Sequence, residues 1–406
     1  MLKRILAFAL RFSGLALITA LLLELVLQLA FPHLPKVIIE HMPQYQERIG
    51  YDLETEHGAR QLPASQAVEY FVTPQGGDLY NYPGACVSQA DLQHFEPYRV
   101  AFKRDAHGFR NAEPWPDDVD LALLGDSFTA AEVIQRPYWQ GISDSMLVLA
   151  LPGSGTVEQQ LLFDHFALPR KPEKTVLAYF AGNDLEDNGY ISWMDAKDMT
   201  WGDIPHLYKN FYDYSVVFRL GQYLASAALR SVNRACHYPL VARTEPPAPV
   251  IFYRYFLPQL RLNMFHLLES EKMRLTKTSI SAIAEAMKAA GGELVFMYIP
   301  TKIEIYWDYL DAASKEKFIA IESRDYDVGG LKYLEPNLHV QRQAMREYAD
   351  EIGIAFLDLT PALRDAVSKG IAPYFVADTH WNQLGHDIAR IALLDYLNGT
   401  TLEPSS

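Results

Sequence analysis

The chain has 406 residues, of which 49% are apolar and 21% charged, and a formal net charge of −14. That is enough for one large α/β domain with additions or two smaller ones, and it is the composition of a folded chain rather than a disordered one. The acidic balance speaks against nucleic acid as a partner, and having only two cysteines, Cys86 and Cys236, excludes a disulfide framework and a cysteine-based zinc site.

At the N-terminus Lys3 and Arg4 precede an apolar stretch, Ile5 to Phe31. Arg11, Glu24 and Gln28 interrupt it, and Phe12 to Leu23 is uncharged. A bilayer-spanning helix needs about 20 apolar residues. The stretch is long enough if Arg11 snorkels to the near interface and Glu24 lies at the far one. Residues 1–35 therefore predict a cytoplasmic tip and a transmembrane signal anchor. The alternative is a cleaved signal peptide, whose apolar region should be about 7–15 residues and end in an A-x-A-like site. Only Gln28-Leu29-Ala30 offers itself there. Positive charge on the short side makes that side cytoplasmic, so the chain from about Lys36 on is expected outside the cytoplasm, periplasmic or extracellular. In an oxidising compartment Cys86 and Cys236 could bridge; two separate buried thiols are the alternative.

Residues 36–98 are rich in Pro, Gly, Gln and Tyr and weakly periodic; they predict a juxtamembrane stalk merging into an irregular layer. Residues 99–400 predict the main domain. Its apolar runs Val119–Leu124, Met146–Ala150, Thr175–Phe180, Glu293–Ile299 and Ile354–Leu357 have the length of strands buried on both faces. Helical patterns over 157–167, 273–290, 338–352 and 383–397 alternate with them, as in a parallel α/β sheet. Asn382 is the expected N-cap of the last. Residues 185–270 break the rhythm with Trp, Tyr, Phe and a Pro-rich loop, Pro246-Pro247-Ala248-Pro249. They predict an inserted helical, aromatic segment, with core packing weighed against carbohydrate stacking.

Four short motifs carry chemistry. The run Leu121–Leu124 leads into Gly125-Asp126-Ser127, which puts a serine hydroxyl at a strand-to-helix turn. After the second strand, Gly153 or Gly155 can bring a backbone N–H close to a substrate. After the third, Gly182-Asn183-Asp184 offers a side-chain amide to an oxyanion, with Asp184 able to cap the next helix. Near the end, Asp378-Thr379-His380-Trp381-Asn382 supplies an imidazole and a carboxylate two residues apart. Each motif alone reads equally well as an ordinary turn or cap. His386 is a weaker candidate because it falls inside the last helix, and His107 and His165 lack any flanking constellation.

Taken in order, these blocks resemble the SGNH (GDSL-like) hydrolase superfamily over about residues 99–184 and 290–397. The resemblance implies a three-layer α/β/α, flavodoxin-like sandwich. It also implies Ser127 as nucleophile, His380 as base, Asp378 as its partner, an oxyanion hole from Ser127, Gly153 and Asn183, and no metal or cofactor. Many members place the acid three residues before the histidine; here position 377 is Ala and the acid is Asp378. The Asp-x-His-Trp-Asn form, Ile299-Pro300-Thr301-Lys302…Tyr306, and Asp105-Ala106-His107-Gly108-Phe109-Arg110-Asn111 look like the branch that includes periplasmic proteins of alginate acetylation and related exopolysaccharide modification. The expected function is a membrane-anchored serine esterase acting on acyl groups, acetyl foremost, of a cell-surface glycan or a lipid. The alternatives are an O-acyltransferase served by a membrane acyl-donor protein and a non-catalytic glycan-binding scaffold.

Overall fold

Five parallel strands form the centre of the computed structural model, which describes residues 2–30, 58–72, 96–188, 215–218, 220–221, 224, 240–252, 259–322 and 333–399. Cys86, Cys236 and most of the predicted stalk and insertion lie outside these residues. The chain divides into two units, Met1–Tyr51 with Ala196–Arg234, and Asp52–Asp195 with Ala235–Ser406.

In the first unit, helix α1 (Leu2–Leu29) exposes Leu15, Ile18, Leu22 and Val26. Its Glu24 accepts hydrogen bonds from the Ser215 hydroxyl and from the Val216 and Val217 N–H groups, which begin a short helical turn. Taken over the described residues alone, no helix is long and apolar enough to cross a membrane. The side chains of residues 1–13 fall outside that description.

The second unit opens with an antiparallel ribbon, β1 (Ala67–Val72) and β2 (Tyr98–Lys103). Strand β1 thus lies within the segment 36–98, expected to be a stalk merging into an irregular layer. The ribbon is stabilised by residues distant in sequence, as Val72 and Val100 pack with Ala131, Ile134 and Phe375. Next come β3 (Leu121–Gly125), the one-turn helix α2 (Ser127–Ala130), β4 (Met146–Ala150), α3 (Thr156–Leu162) and β5 (Lys174–Phe180). Helix α3 is shorter than the predicted 157–167, because Phe163–Ala167 widens into a π-helical turn. The described part of the insertion contains a small hairpin, β6 (Leu240–Ala242) and β7 (Ala248–Val250), so the Pro-rich loop runs into an edge strand. Then follow α4 (Met264–Leu268), α5 (Glu271–Ala290), β8 (Glu293–Ile299), α6 (Lys302–Tyr306), α7 (Ala312–Glu322), α8 (Leu334–Asn337), α9 (Val340–Ile352), β9 (Ala355–Asp358), α10 (Thr360–Ser368) and α11 (Gln383–Leu397).

Strand order is β4-β3-β5-β8-β9, every neighbour parallel. Alternate strand residues divide between two cores. Leu121, Leu123, Val176, Ala178, Val295 and Met297 join Leu363, Val367 and Leu393 of α10 and α11. Leu177, Tyr179 and Tyr298 face the other way, where Gln341 of α9 donates to the Tyr179 hydroxyl at 2.6 Å and Met287 of α5 meets Thr175. Helices on both faces give the three expected layers. Each fully buried Leu or Ile contributes about 1.5–3 kcal/mol through removal from water, so the double-sided burial of these strands is the main reason they read as apolar runs. The chain leaves β3 for one edge and returns through β5 on its other side, so the sheet's switch point lies between β3 and β5. Ligand sites of open α/β sheets form at that point.

Candidate active site

Gly125 ends β3 at a close contact: a Cβ there would come 2.2 Å from the Thr129 hydroxyl oxygen. Asp126 follows, fully buried, and its carboxylate accepts the Phe128 N–H at 2.9 Å. The cap of α2 is therefore Asp126, and Ser127 occupies the first helical position, where an N–H has no acceptor inside the helix. Burial pushes the Asp126 carboxyl up to about 6, against the pull of the Phe128 N–H and His380. The Ser127 hydroxyl lies 3.4 Å from Asp126 Oδ2 but 2.7 Å from His380 Nε2.

His380 arrives from the opposite end of the sequence on a tight loop. The loop is closed by a bridge between Tyr374 and Trp381 and by the Phe375 N–H on the His380 carbonyl at 3.1 Å. Asp378 Oδ1 accepts both the His380 backbone N–H, at 2.9 Å, and Nδ1, at 2.7 Å. With Nδ1–H committed to the carboxylate, Nε2 is left as the acceptor for the serine proton. Burial raises the Asp378 carboxyl, but His380 and the Lys302 charge outweigh it and hold it at about 2, ionised at neutral pH. The Phe128 ring, 4.9 Å from the imidazole, covers one face of it. Ser127, His380 and Asp378 are thus one hydrogen-bonded chain although 253 residues separate the first two.

Gly153 and Asn183 follow β4 and β5, the strands flanking β3. Gly153 has φ +68°, and its carbonyl accepts Arg60 Nη2 at 2.7 Å. Gly155 instead precedes α3, where a Cβ would meet the backbone of Asn188 at 2.7 Å. Asn183 donates its amide to Asp187 Oδ2, and a Cβ built on Gly153 would lie 3.9 Å from that same oxygen. The two expected oxyanion donors therefore share one carboxyl neighbour. Burial pushes Asp187 up to about 7, opposed by the Asn183 hydrogen bond and the Arg60 charge. Asp184 does not cap the helix ahead of it. It turns back to accept the Phe180 N–H at 3.1 Å, and burial raises its carboxyl well above the usual range.

His386 lies in α11 as expected, but its Nδ1 accepts the Tyr138 N–H at 3.2 Å, and burial with the nearby His380 and Arg110 charges lowers it to about 3. It stays neutral and packs the core. His107 packs against Trp115 and Phe166. Three residues that hold the site were not singled out from sequence as its supports. Arg60 clamps Glu158 and the Gly153 turn from a segment read as stalk. Asp187 and Lys302 act through burial and backbone contacts that leave little sequence trace.

Residues 265–403 match the family model described as the SGNH hydrolase-like domain of the acetyltransferase AlgX. The matched stretch contains Lys302, Asp378 and His380, and Ser127 lies ahead of it. Among solved structures, a GDSL-like lipase from Bacteroides thetaiotaomicron aligns at 11% identity, 72% of this chain, 93% of that chain and TM-score 0.32. A lipase/acylhydrolase from Enterococcus faecalis aligns at 12% identity, 71% and 99% coverage and TM-score 0.33. The acetyl xylan esterase AlAXEase aligns at 10% identity, 68% and 98% coverage and TM-score 0.33. Likenesses this distant add nothing about activity. No curated protein sequence matches. Over residues 265–403 the chain is thus similar to the SGNH hydrolase-like domain of AlgX.

Proposed function

We propose that this SGNH-type domain is a serine esterase acting on ester-linked acyl groups, acetyl foremost, of an extracytoplasmic glycan, through an acyl-serine intermediate. The observation that carries the reading is the Ser127–His380–Asp378 chain with both links at 2.7 Å. The Ser127 oxygen attacks the ester carbonyl carbon while His380 Nε2 takes its proton. Asp378 holds Nδ1–H and stabilises the imidazolium. The imidazolium then returns the proton to the departing alcohol oxygen as the ester bond breaks, leaving acyl-Ser127. Water, deprotonated by Nε2, attacks that ester, and the Ser127 oxygen leaves and regains its proton. The Ser127 N–H, the Gly153 N–H and the Asn183 amide are the donors for the oxyanion in both steps; losing one such donor typically costs about 10²–10³ in rate.

A sugar hydroxyl in place of water makes the same chemistry an O-acyl transfer. The match to an acetyltransferase family favours this second reading. The proposed setting is the outer face of a membrane, with α1 as anchor. A 28-residue helix is about 42 Å long, more than the roughly 30 Å hydrocarbon core. Purified protein incubated with an acetylated glycan, with and without an unacetylated acceptor, separates the two readings. Free acetate alone supports the esterase, and acetylated acceptor supports the transferase. No acyl release above the S127A variant would leave only a glycan-binding scaffold.

A further inference from the structure

We infer that Lys302 is the positioning residue of the loop that delivers Asp378 and His380 to Ser127. The inference rests on the Ser127 reading given above. Lys302 begins α6, immediately after β8, and its side chain is almost wholly buried. A buried ammonium is costly unless its donors are satisfied. Here Nζ donates to three main-chain carbonyls, Phe375 at 2.6 Å, Val376 at 2.8 Å and Asp378 at 3.2 Å. These three carbonyls belong to the four residues just ahead of Thr379 and His380.

The acid nearest in sequence is committed elsewhere. Glu304 accepts the Thr301 N–H and hydroxyl at 2.8 and 2.9 Å and the Tyr298 hydroxyl at 3.0 Å, which fixes the start of α6 and hence the Lys302 stem. Of the three carbonyls, that of Val376 also accepts the Ile251 N–H, at 3.2 Å. Tyr374, Phe375 and Val376 border a largely apolar cavity of about 350 Å³ that Lys302 also lines. Without the ammonium the Phe375 carbonyl would lose its Lys302 donor beside that cavity, and the Asp378 carboxylate would lose a stabilising charge. Lys302 does not reach Ser127 or a reacting carbonyl, so its effect passes through Asp378 and His380.

The experiment compares wild type, K302M and K302R by thermal melting, steady-state hydrolysis of an acetyl ester, and the far-downfield Nδ1 proton resonance of His380, assigned by its loss in H380A. Folded K302M should lose about 10²-fold in kcat with KM within about twofold, as expected for ångström-scale misplacement of catalytic groups. The His380 resonance should shift or vanish, and K302R should restore part of both. Unchanged kcat and resonance in an active K302M would overturn the assignment, as would failure of both variants to fold. A wild type inactive on every ester, with the resonance still lost in K302M, would overturn the functional reading and leave Lys302 in place.

Discussion

Ser127 Oγ has two acceptors within reach, and their distances rank them. Asp126 Oδ2 at 3.4 Å is at the limit of a hydrogen bond, whereas His380 Nε2 at 2.7 Å is a short, strong one. Asp126 therefore serves as a cap, and His380 holds the contact that the proposed base needs. The two-residue spacing of Asp378 and His380 is compatible with this because one carboxylate oxygen takes both the backbone and the ring N–H of His380. D378N should accordingly lower kcat by about 10²–10⁴-fold with little change in KM, read by steady-state kinetics, since the imidazole loses the partner that fixes its tautomer. Equal activity in D378N would remove Asp378 from the site. Asp187 makes a second residue-scale prediction. Its folded value, about 7, lies above the ordinary 3.8, so the fold binds a proton that the unfolded chain releases. Stability is then highest at low pH and falls as pH rises towards and through 7. D187N should flatten that decline between about pH 4 and about pH 7 in thermal melts. A wild-type melting point that does not fall more steeply than that of D187N would contradict it. The positions of Ser127, Asn183 and Asp378 at strand ends and ahead of a helix cap were legible from the apolar runs and the cap residue beside them. Asp187 was not, because its character comes from burial.

Strand ends, rather than single residues, determine which groups meet. Strands β3, β4 and β5 were legible because burial on both faces leaves continuous apolar runs, and their exits carry Ser127, Gly153 and Asn183 side by side. The β1–β2 ribbon was not legible. Its burial is one-sided and its core partners Ala131, Ile134 and Phe375 lie far along the chain. Arg60 escaped notice for the same reason: it reaches Gly153 across 93 residues. Its other partner, Glu158, has a side chain only 2% exposed. Removing the Arg60 side chain leaves that buried carboxylate the residue-60 N–H, at 2.7 Å, but not the guanidinium, so R60A should cost about 3 kcal/mol in denaturant unfolding. The double change R60M/E158Q should recover much of it, and a loss below about 1 kcal/mol in R60A would show the pair to be peripheral. G153A tests the turn itself. At φ +68° a non-glycine residue costs about 1–2 kcal/mol, and kcat should fall more than KM rises.

For the whole molecule, the order β4-β3-β5-β8-β9 is what turns four weak motifs into one site. It puts the switch point between β3 and β5, and the loop from the far end of the chain closes over it with His380 against Phe128. Parallel alternation of strands and helices was readable from periodicity, so the layer architecture was too. The inserted hairpin β6–β7 was not, because prolines hide strand character. If α1 is the anchor, full-length protein should fractionate with membranes and a chain starting near residue 36 should be released with its esterase activity intact. Membrane association unchanged by that deletion would contradict the anchor. The central claim is that Ser127 is a nucleophile activated by His380 and Asp378. Its most direct measurement is labelling by a fluorophosphonate, with the modified peptide identified by mass spectrometry. Labelling is predicted at Ser127, absent in S127A and greatly slowed in H380A. Labelling that persists in S127A, or wild-type protein that takes no label, would contradict it.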